Sequence, residues 1–165
     1  TISGASIQIW SHSVSTAAGS IAFSGSNTYA GGTEIINATL VLKDDGTVGT
    51  GPVWLGDGTL TVDSNEHRTI GNRITGVGTI RLAGRGKVAF AALDSQDGAG
   101  FTLDLARRRV TVGTLEGFSS VTSSASSTDL YVTDMAEGSY TGKVASNVRL
   151  HYGEYQKPGL MLIFR

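Results

Sequence analysis

The sequence predicts an all-β protein wound as a parallel β-helix, a solenoid of about 20 residues per coil. Three observations carry this expectation. Gly reaches 23 residues against only 2 Pro, and Ser and Thr are nearly as frequent as Gly. Such a chain is too rich in small and β-branched polar residues for a helical protein, and too rich in Val, Ile, Leu and aromatics for a disordered one. Most informative is one short apolar motif that returns at an almost constant interval.

That motif is small/Thr–apolar–variable–apolar. It stands at Ser20-Ile21-Ala22-Phe23, Thr39-Leu40-Val41-Leu42, Thr59-Leu60-Thr61-Val62, Thr79-Ile80-Arg81-Leu82 and Gly100-Phe101-Thr102-Leu103, with starts separated by 19, 20, 20 and 21 residues. A strand alternates its side chains, so the two apolar positions face one way and the variable one the other. Ile21, Leu40, Leu60, Ile80 and Phe101 are therefore expected to stack as one internal ladder, and Phe23, Leu42, Val62, Leu82 and Leu103 as the next. Ala22, Val41, Thr61, Arg81 and Thr102 have the character of an outer face. One coil cannot bury its own apolar face, so each needs a neighbour above and below.

A second series lies between these units: Thr33-Glu34-Ile35-Ile36, Pro52-Val53-Trp54-Leu55, Lys87-Val88-Ala89-Phe90 and Arg109-Val110-Thr111-Val112. One member fits poorly, with Arg68-Thr69-Ile70 and Asn72-Arg73-Ile74 as its candidates. The alternative architecture is an antiparallel β-sandwich, whose hairpins space strands at roughly 8–12 residues. The two series do alternate at about that distance. A sandwich, however, has no reason to keep one motif in a fixed 20-residue translation.

The coils occupy residues 1–118, and residues 119–165 read as a closing section, an irregular C-terminal cap of the same domain. Within it a Ser-rich tract, 119–128, precedes strands at 129–133, Val148–Tyr152 and 160–164, the last apolar throughout. At the other end, Ile7-Gln8-Ile9-Trp10 repeats the apolar-x-apolar form with no charged residue or Pro before it. That edge reads as a cut through a longer solenoid, open to further coils of the same protein or to end-to-end self-association. Thr1 carries neither an initiator Met nor a signal peptide, so the chain reads as a processed piece of something larger.

Net charge is −1, which recruits neither nucleic acid nor an anionic membrane as a whole. No apolar run approaches the ~20 residues of a membrane helix. Cys is absent, which fits either compartment.

Residues 19–42, GSIAFSGSNTYAGGTEIINATLVL, resemble the autotransporter-associated β-strand repeat of large bacterial surface proteins. Asn27, Thr28, Tyr29, Gly31, Gly32, Thr33, Thr39, Leu40 and Leu42 match its form, and Gly46-Thr47-Val48-Gly49 and Gly58-Thr59-Leu60-Thr61-Val62 look like its continuation. The match is specific over about 19–82; beyond it, residues 110–118 and the run Gly-Ser-Tyr-Thr-Gly-Lys at 138–143 look like the section that closes such repeats. The resemblance implies a right-handed parallel β-helix, export, and a place on the cell surface or in the extracellular matrix. In physical terms, Gly31-Gly32 suits a corner at positive φ. Asn27 suits a hydrogen bond within the turn or between coils. Tyr29 offers an apolar body with a polar tip.

Chemistry is sparse. His12 lies in a Ser-rich start, His67 in a polar loop and His151 in an alternating strand, and none accompanies a nucleophile-elbow motif. Asp44, Asp57 and Asp97 sit in turns beside Gly or Asp-Gly, where turn chemistry accounts for them; Asp45, Asp63, Asp94 and Asp104 complete the candidate acids. Calcium-binding nonapeptides are missing. The expectation is a non-enzymatic protein without cofactor or metal, whose role is structural or adhesive. The alternatives are a carbohydrate-binding module and a polysaccharide-acting β-helix enzyme.

Two features suit a ligand. Arg107-Arg108-Arg109 is a dense basic cluster that would meet an anionic surface glycan or lipopolysaccharide, although three adjacent Arg on a strand cannot share one face. Trp54, between Val53 and Leu55, falls on an outer face where it would stack on a sugar ring, and Trp10 is a second such ring.

Overall fold

A computed structural model of the chain describes residue 4 and residues 6–11, 19–94, 100–106, 109–134 and 142–152. Among these lie twelve strands and no helix: β1 (Ile7–Trp10), β2 (Ser20–Phe23), β3 (Thr33–Ile36), β4 (Thr39–Lys43), β5 (Val53–Asp63), β6 (Arg68–Ala83), β7 (Val88–Asp94), β8 (Phe101–Leu105), β9 (Arg109–Glu116), β10 (Ser120–Thr122), β11 (Thr128–Asp134) and β12 (Val148–Tyr152). All of their pairings are parallel. The chain is a β-solenoid of about six turns with coils of about 20 residues.

Each full coil presents three faces. The first is built from β1, β3, residues 53–57 of β5, 74–77 of β6, 92–94 of β7 and 114–116 of β9. The second takes β2, β4, residues 59–63 of β5, 79–83 of β6, β8 and β10. The third takes 68–70 of β6, 88–90 of β7, 110–112 of β9, 129–132 of β11, and β12. β5 and β6 run round corners and so belong to more than one face. At one corner Asp57 adopts φ 56°, and Asn37 and Asp44 take similar left-handed angles of 49° and 50° elsewhere. Asn and Asp tolerate this region because their short polar side chains bond locally.

Apolar columns fill the interior. On the second face Leu40, Leu60, Ile80, Leu103 and Val121 follow one another in register, each fully buried. Leu42, Val62, Leu82 and Leu105 form the adjacent column. On the third face Ile70, Phe90, Val112 and Val132 stack in the same way. Each such side chain contributes roughly 1.5–3 kcal/mol by leaving water.

The ladder expected from sequence needs three corrections. Phe101 does not stack on Ile80; it opposes Gly78, and Leu103 and Leu105 oppose Ile80 and Leu82. The two-residue slip keeps every apolar side chain inward and brings Arg81 opposite Asp104, with Nε 3.0 Å from the carboxylate. Ile21 is in register with Leu40 but 47 % exposed, because β2 begins its column and pairs on one side only among the described residues. The second series, finally, is two series. Ile35, Val53 and Ile74 belong to the first face, whereas Val88 and Val110 belong to the third. Both candidates for the missing member are used: Arg68-Thr69-Ile70 one coil before Val88-Ala89-Phe90, and Ile74 one coil after Val53.

The closing section carries further coils of the same stack. Val110, Leu130 and Leu150 pair in sequence at intervals of 20 residues, and Val144 bridges to Val121. Residues 160–164 lie outside the described residues.

Polar side chains tie coil to coil. The Asn27 amide donates to the carbonyls of Gly25 and Thr47, at 3.1 and 2.6 Å. Asn72 donates to Gly49 and Gly51, at 2.8 and 2.7 Å, and Asn147 to Ser123 and Ala125, both at 2.8 Å. Arg68 caps the carbonyls of Asp44 and Gly46. Tyr29 is buried with its hydroxyl 2.6 Å from that of Thr33, and Gly32 takes φ 100°.

Candidate functional site

The coil period applies to charged residues as well as apolar ones. On the third face, Lys87, Arg109, Asp129 and Arg149 each directly precede an inward residue: Val88, Val110, Leu130 and Leu150. The parallel register therefore sets them in one outward column, one coil apart, at a rise of about 4.8 Å per coil. Arg85, two residues before Lys87, joins them at the corner where the second face turns into the third. With Ser126 and Ser127 these side chains line an open groove of about 790 Å³.

Local backbone makes the corner possible. Gly86 packs against the preceding coil so closely that a Cβ there would lie 1.8 Å from the Glu66 carbonyl oxygen. Its bareness seats Arg85-Gly86-Lys87 on the Ser64–Glu66 turn, where the Gly86 amide donates to the Ser64 carbonyl at 3.0 Å.

Charge in the groove is unbalanced. Among the described residues four cations, Arg85, Lys87, Arg109 and Arg149, share it with one carboxylate, Asp129. Arg149 grips that carboxylate with two bonds, Nε to Oδ1 at 2.9 Å and an Nη to Oδ2 at 3.1 Å. His151 Nε2 lies 2.8 Å from Oδ1. The Arg149 hydrogen bond, opposed by desolvation and aided by His151, holds the Asp129 carboxyl below its ordinary value, and Asp129 raises the Arg149 guanidinium. Next to this column Tyr131 and His151 stack with centroids 4.5 Å apart and planes 13° from parallel. The Arg109 guanidinium sits 6.0 Å from the Tyr131 centroid, at the outer limit of a cation–π contact.

The basic cluster read from sequence is thus placed in part. Arg109 lines the groove, half-buried; Arg107 and Arg108 lie outside the described residues. Sequence reading missed Arg85, Lys87 and Arg149. Their signal was a charge recurring before the inward position of successive coils, visible only once the third face is separated from the first.

Trp54 stands on the first face, its side chain outward and 42 % exposed between buried Val53 and Leu55. Gly56 allows the indole to lie along the strand, since a Cβ there would come within 2.6 Å of two ring atoms. Trp10 is 56 % exposed on the same face. Neither lines the basic groove. His67 is exposed in its loop, and His12 lies outside the described residues. Among the acids, Asp94 pairs with Arg73 and Asp104 with Arg81, both across coils. Among the described residues no three His, Cys, Asp or Glu side chains are grouped to hold a metal. No family model, curated protein or solved structure matches this chain.

Proposed function

We propose that the chain is a structural and adhesive segment of a secreted or cell-surface bacterial protein, of the kind its resemblance to the autotransporter-associated repeat implies. The observation that supports this most is the use of polar side chains. Asn27, Asn72, Asn147, Arg68 and the Arg81–Asp104 pair all join one coil to the next. A stack fastened in this way is a stiff spacer, extendable by adding coils at either end. Nothing in that function needs a moving part or a reacting group.

A second reading, a carbohydrate-binding module, is favoured by the exposed indole of Trp54, whose flat face is suited to a sugar ring. A glycan array run beside turnover assays on the same sugars tests both against an enzyme. Glycans recovered intact support a segment that holds without cutting, and cleavage products contradict it. Antibody labelling of unpermeabilised source cells tests the location, which labelling only after permeabilisation would contradict.

A further inference from the structure

We propose that the corner groove between the second and third faces binds an anionic polysaccharide, carboxylated or sulfated, lying along the stacking axis. The inference rests on the extracellular reading above and names the ligand class for it.

Three observations carry it. First, a chain of net charge −1 gathers, among its described residues, four cations against one carboxylate in a single groove. Low-dielectric walls around charges of one sign focus their field and draw in a counter-charged ligand. Arg85 and Lys87 make no ion pair among the described residues, so their charge is offered outward.

Second, the cations are periodic. From Lys87 to Arg149 is three coil steps, on the order of 14 Å at the parallel-strand spacing. One step is close to the length of one sugar ring in an extended chain. A polymer bearing an acid on every ring, or on alternate rings, keeps pace with such a column, whereas a small anion engages one step of it.

Third, the groove is not uniformly basic. Asp129 stands in the column between Arg109 and Arg149, and the Ser126 and Ser127 hydroxyls line the wall. A DNA backbone has no free hydroxyl groups between its phosphates to offer Asp129. A sugar chain has hydroxyl groups between its anions, and a carboxylate accepts hydrogen bonds from those. Single-stranded nucleic acid would also need exposed ring faces for its bases. The Tyr131 ring beside the groove is already stacked on His151. The mixture favours a glycan.

The test uses the whole chain against heparin, polygalacturonate, neutral dextran and single-stranded DNA at low and at high salt. It is run for the parent, the double variant Lys87→Gln/Arg109→Gln, and Arg81→Gln as a cationic loss on another face. Circular dichroism confirms that each variant keeps its β signal. The expected result is retention on heparin or polygalacturonate that fades with salt, is absent on dextran, and weakens roughly tenfold or more in the double variant but not in Arg81→Gln. Which of the two probes binds more tightly separates sulfated from carboxylated ligands. Equal losses in both variants would overturn the groove as the site, and tighter binding of DNA would overturn the glycan. Absence of any polyanion binding would remove the inference while leaving the structural reading to the turnover and labelling tests.

Discussion

Leu60 is the position at which the stack is most exposed to test. It is fully buried, with Leu40 in register on one side and Ile80 on the other. Leu60→Ala removes three carbons, about 2.4 kcal/mol at about 0.8 kcal/mol per buried methylene. Both neighbouring coils are held by backbone ladders at a fixed spacing, so the cavity cannot close and its own cost adds, for a total of about 3–5 kcal/mol. Thr61, the next residue, points outward between Val41 and Arg81. It is only 9 % exposed, since those neighbours cover it, but Thr61→Ala leaves no void in the core and should cost less than about 1 kcal/mol. Urea unfolding of both variants gives the comparison, provided the slope stays constant, because coil-by-coil unfolding would flatten it. Comparable losses from the two substitutions would refute the inward column.

Three further perturbations follow from the contacts described. Gly86→Ala drives a methyl group into the Glu66 carbonyl, so it should cost about 1–3 kcal/mol and weaken polyanion retention together with the melting temperature. Asn72→Ala frees the carbonyls of Gly49 and Gly51, and about 1–3 kcal/mol should be lost in denaturant titrations, against little for an exposed control such as Thr69→Ala. The Asp129 carboxyl is held below its unfolded value, so its ionised form stabilises the fold fully above the ordinary carboxylate range and the gain disappears as pH falls through the lowered value. Asp129→Asn should therefore melt earlier than the parent at neutral pH, with the gap closing in acid; a gap independent of pH would contradict the Arg149 pairing.

How much of this was readable in the sequence depends on chain geometry. Leu40, Leu60 and Ile80 were legible because their strands each hold a full apolar-x-apolar unit at a steady interval. Phe101 was set two residues out of place because alternation repeats every two residues. A slip of that size keeps all apolar side chains inward, and the Arg81–Asp104 pairing belongs to the observed register. The third face was hidden because its early segments are short and run within a few residues into the first face, as residues 68–70 do into 74–77 within β6. The groove escaped for a related reason. Arg107-Arg108-Arg109 is conspicuous along the chain, whereas Lys87, Arg109 and Arg149 are neighbours only across coils. Trp54 needed no such knowledge, since its two flanking apolar residues alone assign it to the outer surface.

Paired cysteines test the coil register most directly, since the chain has no Cys of its own. Arg81→Cys/Asp104→Cys joins partners on the second face, and Ala89→Cys/Thr111→Cys joins partners on the third, beside the basic column. Neighbouring parallel strands lie about 4.8 Å apart, within the separation of about 4.4–6.8 Å that a disulfide spans between Cα atoms. Arg81→Cys/Thr102→Cys is the diagonal pair, displaced by two residues and out of reach. Both partner pairs should oxidise readily in the folded protein and raise its melting temperature, and the diagonal pair should stay reduced. Preferential oxidation of the diagonal pair, or failure of the pair on the third face, would contradict it.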